Sequence, residues 1–110
     1  MGYAQQLHDM PVIERIVRRI VASIHPQRVI LFGSRARGDA APDSDVDMLV
    51  VVDDVHARHA VAVRVREAIG PEALPVDIII RDQQELSHRA RLPGSVERAA
   101  MREGLTIYAA

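Results

Sequence analysis

"LFGSRARGDAAPDSDVDMLVV", residues 31–51, begins and ends as a buried strand does, yet its middle carries four aspartates, two arginines and a glycine–serine pair. The run "RVILF", residues 28–32, is short, β-branched and stopped by Gly33, which predicts a buried strand. "VDMLVVV", residues 46–52, is apolar on both faces beyond Asp47, the pattern of a central strand covered on both sides. Between them, residues 34–44 are polar and contain Gly38 and Pro42, so a turn or a single helical turn plus loop is predicted. Side chains alternate across a strand, so Asp45 and Asp47 point the same way, at the mouth of the most apolar strand of the chain.

Working outward, Val12, Ile13, Ile16, Val17, Ile20, Val21 and Ile24 recur with helical spacing, which predicts a helix over 9–24 with Asp9 as N-cap and Pro11 in the first turn. After the second strand, Asp54 is predicted to cap a helix to about Ile69, with Val55, Val61, Ala62, Val63, Val65 and Ala68 on its apolar face and Gly70-Pro71 as the stop. "VDIII", residues 76–80, is a third strand. Asp82 with Glu85 three residues on reads as a capping box for a helix toward Arg91, Ser95 caps a last helix to Glu103, and "LTIY" is extended. This alternation predicts an α/β (α+β) fold, a small sheet flanked by helices in one domain, residues 1–110. The terminal "LTIYAA" is a candidate sheet edge open to another chain.

Composition narrows the function classes. Hydrophobic residues form 48% and charged residues 26% of the 110, ordinary values for a globular chain. No apolar run approaches bilayer length, so no membrane association is expected, and with no cysteine and no signal-peptide pattern a cytoplasmic address is expected. A net charge of −1 gives no overall field for nucleic acid, and direct nucleic-acid binding is not expected. All fourteen basic residues are arginine, which suits bidentate pairing with phosphate. His56 and His59, three apart, lack the further ligands that a zinc site requires.

If "VDIII" lies beside the second strand, Asp77 joins Asp45 and Asp47 at one edge of the sheet. Two carboxylates about 4 Å apart repel by roughly 4 kcal/mol at an effective dielectric near 20, so a positive partner is required among them. An oxygen-only donor set suits Mg²⁺ or Mn²⁺, while Arg35 or Arg37 is the competing source of charge. Arg35 reads otherwise as a surface residue, and the arginines of residues 81–102 as the wet side of two helices. Gly33-Ser34, directly after a strand, brings a residue without Cβ and a hydroxyl donor to a place where phosphate can approach.

The spacing Gly33-Ser34, ten residues, then Asp45-Val46-Asp47 resembles the signature of the polymerase-beta-like nucleotidyltransferase superfamily. "GSRARG", "SDVDMLV", "PVDIII" and "REGLTIY" together look like its minimal nucleotidyltransferase (MNT) branch, over about Val12 to Tyr108. The resemblance implies a small mixed sheet, a site in which Asp45, Asp47 and Asp77 hold two Mg²⁺ ions (Mn²⁺ possible), and Asp77 as metal ligand or general base. It also implies that Gly33 and Ser34 grip the phosphates of ATP, with Arg37 adding charge. MNT proteins typically act as antitoxins to a HEPN-domain toxin in a hetero-oligomer, which implies transfer of AMP from ATP to a toxin tyrosine. The alternatives are a catalytically weak module that neutralises its partner by binding, or a nucleotidyltransferase acting on a small molecule or RNA.

Overall fold

The structure, a computed structural model, describes residues 2–54 and 56–110, with side chains from Met10 onward. Along the chain run α1 (Gly2–Ile24), β1 (Arg28–Phe32), α2 (Ser34–Arg37), β2 (Val46–Val52), α3 (Arg58–Ile69), β3 (Val76–Asp82), α4 (Gln83–Arg89), α5 (Val96–Glu103) and β4 (Leu105–Ala109). The four strands form one mixed sheet in the order β3-β2-β1-β4. β1 is antiparallel to both β2 and β4, whereas β2 and β3 are parallel, the crossover between them being α3. A parallel pair needs such a crossover, because a tight hairpin cannot return the chain in the same direction.

Alternation along β2 divides the core in two. Val46, Met48, Val50 and Val52 join Val29, Leu31 and Ile80 under α1 and α3, with Ile13, Ile16, Val17, Ile20, Val65 and Ile69 closing that face. Leu49 and Val51 face the other way with Ile30, where Leu86 of α4 and Ala100 of α5 cover them. Burial on both sides explains why β2 is apolar at nearly every position. Asp47 has the parity of Leu49 and Val51, so its side chain stands on the α4/α5 face, beyond the part those two helices cover.

Three predicted element boundaries are corrected. The first helix runs back through Asp9 to Gly2, so Asp9 is not its cap, and Pro11 sits inside it. Good helix formers from Ala4 to Leu7 continue the helix across a proline that forfeits a single backbone bond. Asp54 does not cap α3, which begins four residues later behind Ala57, a cap with no side-chain bond. Its Oδ1 instead accepts the His56 N–H at 2.9 Å, a turn of the aspartate's own that competes with capping. Val63 is exposed, Val65 and Ile69 carry the buried face of α3, and Val55 lies outside the described residues. β3 continues two residues past Ile80.

Other local readings hold. The Asp82–Glu85 capping box is complete, the Glu85 N–H donating to Asp82 Oδ1 at 2.7 Å. Ser95 accepts from the Arg98 N–H at 3.0 Å. β4 is an outer strand, and every one of its residues is exposed or half-buried. No helix among the described residues is long and apolar enough to cross a membrane.

Candidate functional site

The register of the parallel pair sets Asp47 of β2 directly beside Asp77 of β3. Asp45 lies two residues earlier on the same side, and one oxygen from each of the three carboxylates falls within 4.8 Å of the others. Asp47 is half-buried, while Asp45 and Asp77 face solvent. Because Asp45 and Asp77 are open to solvent, water screens the repulsion, and the cluster costs less than three buried carboxylates would. It still perturbs titration. A hydrogen bond to Asp77 holds the Asp45 carboxyl above its ordinary range, with desolvation and the Asp77 charge adding to this and Arg35 opposing it. Asp47 is raised by burial first, then by the charges of Asp77 and Asp45, with Arg37 opposing.

Gly33 ties the turn after β1 to this cluster. Its backbone, φ 77° and ψ −158°, lies where residues other than glycine essentially do not go. A Cβ there would also run into Asp47 Oδ2 and stand 3.3 Å from its Cγ. The backbone of the turn demands glycine, and the missing Cβ also leaves the Asp47 carboxylate room to stand where it does. Ser34 begins the single helical turn α2, in which Gly33 O accepts the N–H groups of Ala36 and Arg37 at 3.1 and 3.0 Å. Gly38 ends it in the left-handed conformation, its N–H on Ser34 O.

Arg37 is half-exposed and lies 3.4 Å from Asp39 Oδ2 and 3.6 Å from Glu103 Oε2. It acts on Asp47 through its charge, with no bond to it. Arg35 is not the surface residue that sequence suggested: it is 2% exposed and donates to main-chain carbonyls of the loop that leads to Asp45. Sequence offered little signal for this, since arginine is among the residue types least often buried. Arg81 likewise leaves the wet side of α4 and α5 to donate to buried Glu97 Oε2 at 2.8 Å. His56 and His59 are exposed, with His56 beside Asp54. A groove of about 720 Å³ between α1 and β4, lined by residues including Met10, Val17, Val21 and Tyr108, contains none of Asp45, Asp47 and Asp77.

The fold matches the crystal structure of a candidate nucleotidyltransferase from Sulfolobus solfataricus, with a TM-score of 0.68 at 22% identity, covering 98% of this chain and 86% of that one. No curated protein sequence matches the chain. The nucleotidyltransferase domain family matches residues 13–103, and the chain belongs to that family. As a member it has a nucleotide as substrate, and its acidic triad has the chemistry for a divalent cation, which favours three clustered carboxylate oxygens over any softer donor set.

Proposed function

We propose that this chain is a Mg²⁺-dependent nucleotidyltransferase that moves AMP from ATP onto a tyrosine hydroxyl of a HEPN-domain toxin, acting as its antitoxin. The observation that carries the chemistry is the convergence of Asp45, Asp47 and Asp77 within 4.8 Å, with Gly33 pressed against the Asp47 carboxylate. The donor set fits divalent cations: three carboxylates, two of them open to solvent, with room for phosphate oxygens and water in the remaining positions. When bound there, two Mg²⁺ ions neutralise the carboxylates and the triphosphate and acidify the attacking hydroxyl.

The chain's own residues do the rest. Gly33 lets the backbone approach the β- and γ-phosphates, and the Ser34 hydroxyl donates to them. Arg37 adds positive charge where charge accumulates on the departing pyrophosphate. Asp45 and Asp47 hold the cations. Asp77, exposed at the start of β3, completes the donor set and takes the acceptor's proton at its carboxylate. The acceptor oxygen then bonds to the α-phosphorus as the bond to the bridging oxygen breaks, and pyrophosphate leaves with that electron pair.

The choice of acceptor rests on the open half of the sheet. α4 and α5 cover Leu49 and Val51 but leave Asp45 and Asp77 exposed, so that end of the sheet is open to an approaching acceptor. A protein that presents its own tyrosine suits that geometry, and the MNT-like "GSRARG" and "SDVDMLV" motifs point to a HEPN partner. The test is intact-mass measurement of the product of the adjacent reading frame after incubation with this protein, ATP and Mg²⁺. An added AMP that requires Asp45 and Asp47 is expected. Tight binding without an adduct, unchanged in Asp45→Asn/Asp47→Asn, would establish a binding antitoxin instead.

A further inference from the structure

Asp45 lies in the loop just before β2 and so lacks the sheet bonds that hold Asp47 and Asp77. Two clamps flank it. On its C-terminal side the Val46 N–H donates to Pro75 O at 2.8 Å, tying the start of β2 to the residue two places before Asp77. On its N-terminal side Ser44 O accepts both Arg35 Nε at 3.1 Å and Arg35 Nη2 at 2.7 Å. The same Nη2 lies 3.3 Å from Pro42 O and 3.5 Å from Ala41 O. The loop closes on itself as well, Ser44 N–H donating to Ala41 O at 3.0 Å and Ala41 N–H to Ser44 Oγ at 2.8 Å.

Arg35 is thus the strut of the loop. Its backbone belongs to α2, next to Ser34 and two residues from Gly33, which abuts Asp47. Its guanidinium ends at the residue before Asp45. At 2% exposure the charged head is out of water, and carbonyl dipoles take the place of the lost hydration. The planar fork matters here: Nε and Nη2 converge on one carbonyl while Nη2 also faces two more, which the single nitrogen of a lysine cannot reproduce.

We infer that Arg35 is a positioning residue of the carboxylate site. Through Ser44 O it fixes where Asp45 stands relative to the Gly33–Ser34 turn, and so sets the affinity of the site for a divalent cation. The inference rests on reading the triad as a cation site. Groups that orient metal ligands from outside typically change affinity 10–100-fold when altered, and that loss is expected for Arg35→Lys, which keeps the positive charge and gives up the fork.

Mn²⁺ alone, titrated by electron paramagnetic resonance, tests it on wild type, Arg35→Lys, Arg35→Met and Asp45→Asn, each with a thermal melt. Wild type binds, Asp45→Asn loses binding, and Arg35→Lys stays folded at the assay temperature with 10–100-fold weaker uptake. If wild type takes up no Mn²⁺, the cation site itself is wrong and this inference falls with it. If wild type binds, Asp45→Asn does not, and folded Arg35→Lys binds like wild type, the site stands and the positioning role is overturned. Unfolding of Arg35→Lys overturns it too, because Arg35 would then be holding the fold rather than the carboxylate. Arg35→Met, with neither charge nor fork, is expected to bind at least as weakly as Arg35→Lys; tighter binding contradicts the inference.

Discussion

Gly33→Ala separates backbone strain from loss of the site. The alanine must adopt φ 77° and ψ −158°, a region that costs a residue with a Cβ about 1–3 kcal/mol. Its methyl group meets Asp47 Oδ2, but that atom is the far end of a side chain that can rotate, so the clash adds little to the stability loss. It moves the carboxylate instead. Gly70 is a matched control: φ 63° and ψ −163° place it in the same backbone region, and a Cβ there meets only Glu67 O, at 4.0 Å. Both Gly33→Ala and Gly70→Ala are therefore expected to lower stability by about 1–3 kcal/mol, a fall in melting temperature of roughly 5–15 °C. Only Gly33→Ala should also weaken Mn²⁺ binding, by the roughly tenfold or more that follows displacement of a ligand's supporting contacts. The assay is a thermal melt with and without Mn²⁺, alongside a direct Mn²⁺ titration. Gly33→Ala that loses stability yet binds Mn²⁺ as wild type does would show that the turn and the carboxylate are not coupled. Equal weakening in Gly70→Ala would show that the effect comes from general loosening.

Other perturbations follow from the same structure. Mn²⁺ with ATP at 100 times their dissociation constant should stabilise the wild type by about 2.7 kcal/mol, and Asp47→Asn should lose this shift; an undiminished shift in that variant would place the site elsewhere. Gly104→Ala should destabilise by about 1–3 kcal/mol from overpacking alone, because its backbone is ordinary while a Cβ would meet Ala100 O, Ile30 Cγ2 at 2.6 Å and Leu31 O at 3.0 Å. A calorimetric melt reads this, and an unchanged melting temperature would mean that α5 and β1 can part more easily than the packing implies. Burial pushes the Glu97 carboxyl up, but its own backbone N–H and the Arg81 guanidinium outweigh this and hold it below the usual range. That stability is present above the unfolded carboxylate pKa of about 4.3 and is lost as pH falls below it. Glu97→Gln should therefore flatten the acid limb of a stability–pH curve, and a parallel curve would refute the assignment.

Much of the fold was legible because it rests on local rules. The apolar runs at residues 28–32 and 46–52 marked β1 and β2 to the residue. The Asp82–Glu85 and Ser95 caps could be read because a cap is satisfied within three residues. Asp9 and Asp54 misled for the same reason: a short polar side chain before an apolar run looks like a cap whether or not its bond goes to a helix, and at Asp54 it goes to a turn.

The sequence by itself determined that Asp45 and Asp47 share a face, since alternation along a strand needs no knowledge of neighbours. It also determined the ten-residue spacing between Gly33-Ser34 and Asp45-Val46-Asp47, which is order along the chain alone. Only the tertiary structure decided that β3 lies parallel to β2 with Asp77 level with Asp47, because strand order depends on which helices cover the sheet. It alone decided that Arg35 turns inward to hold the loop at Ser44 while Arg37 stays out. Both are arginines in one polar turn, and the choice between them is made by where unpaired carbonyls gather in space, a quantity that no pattern along the chain encodes.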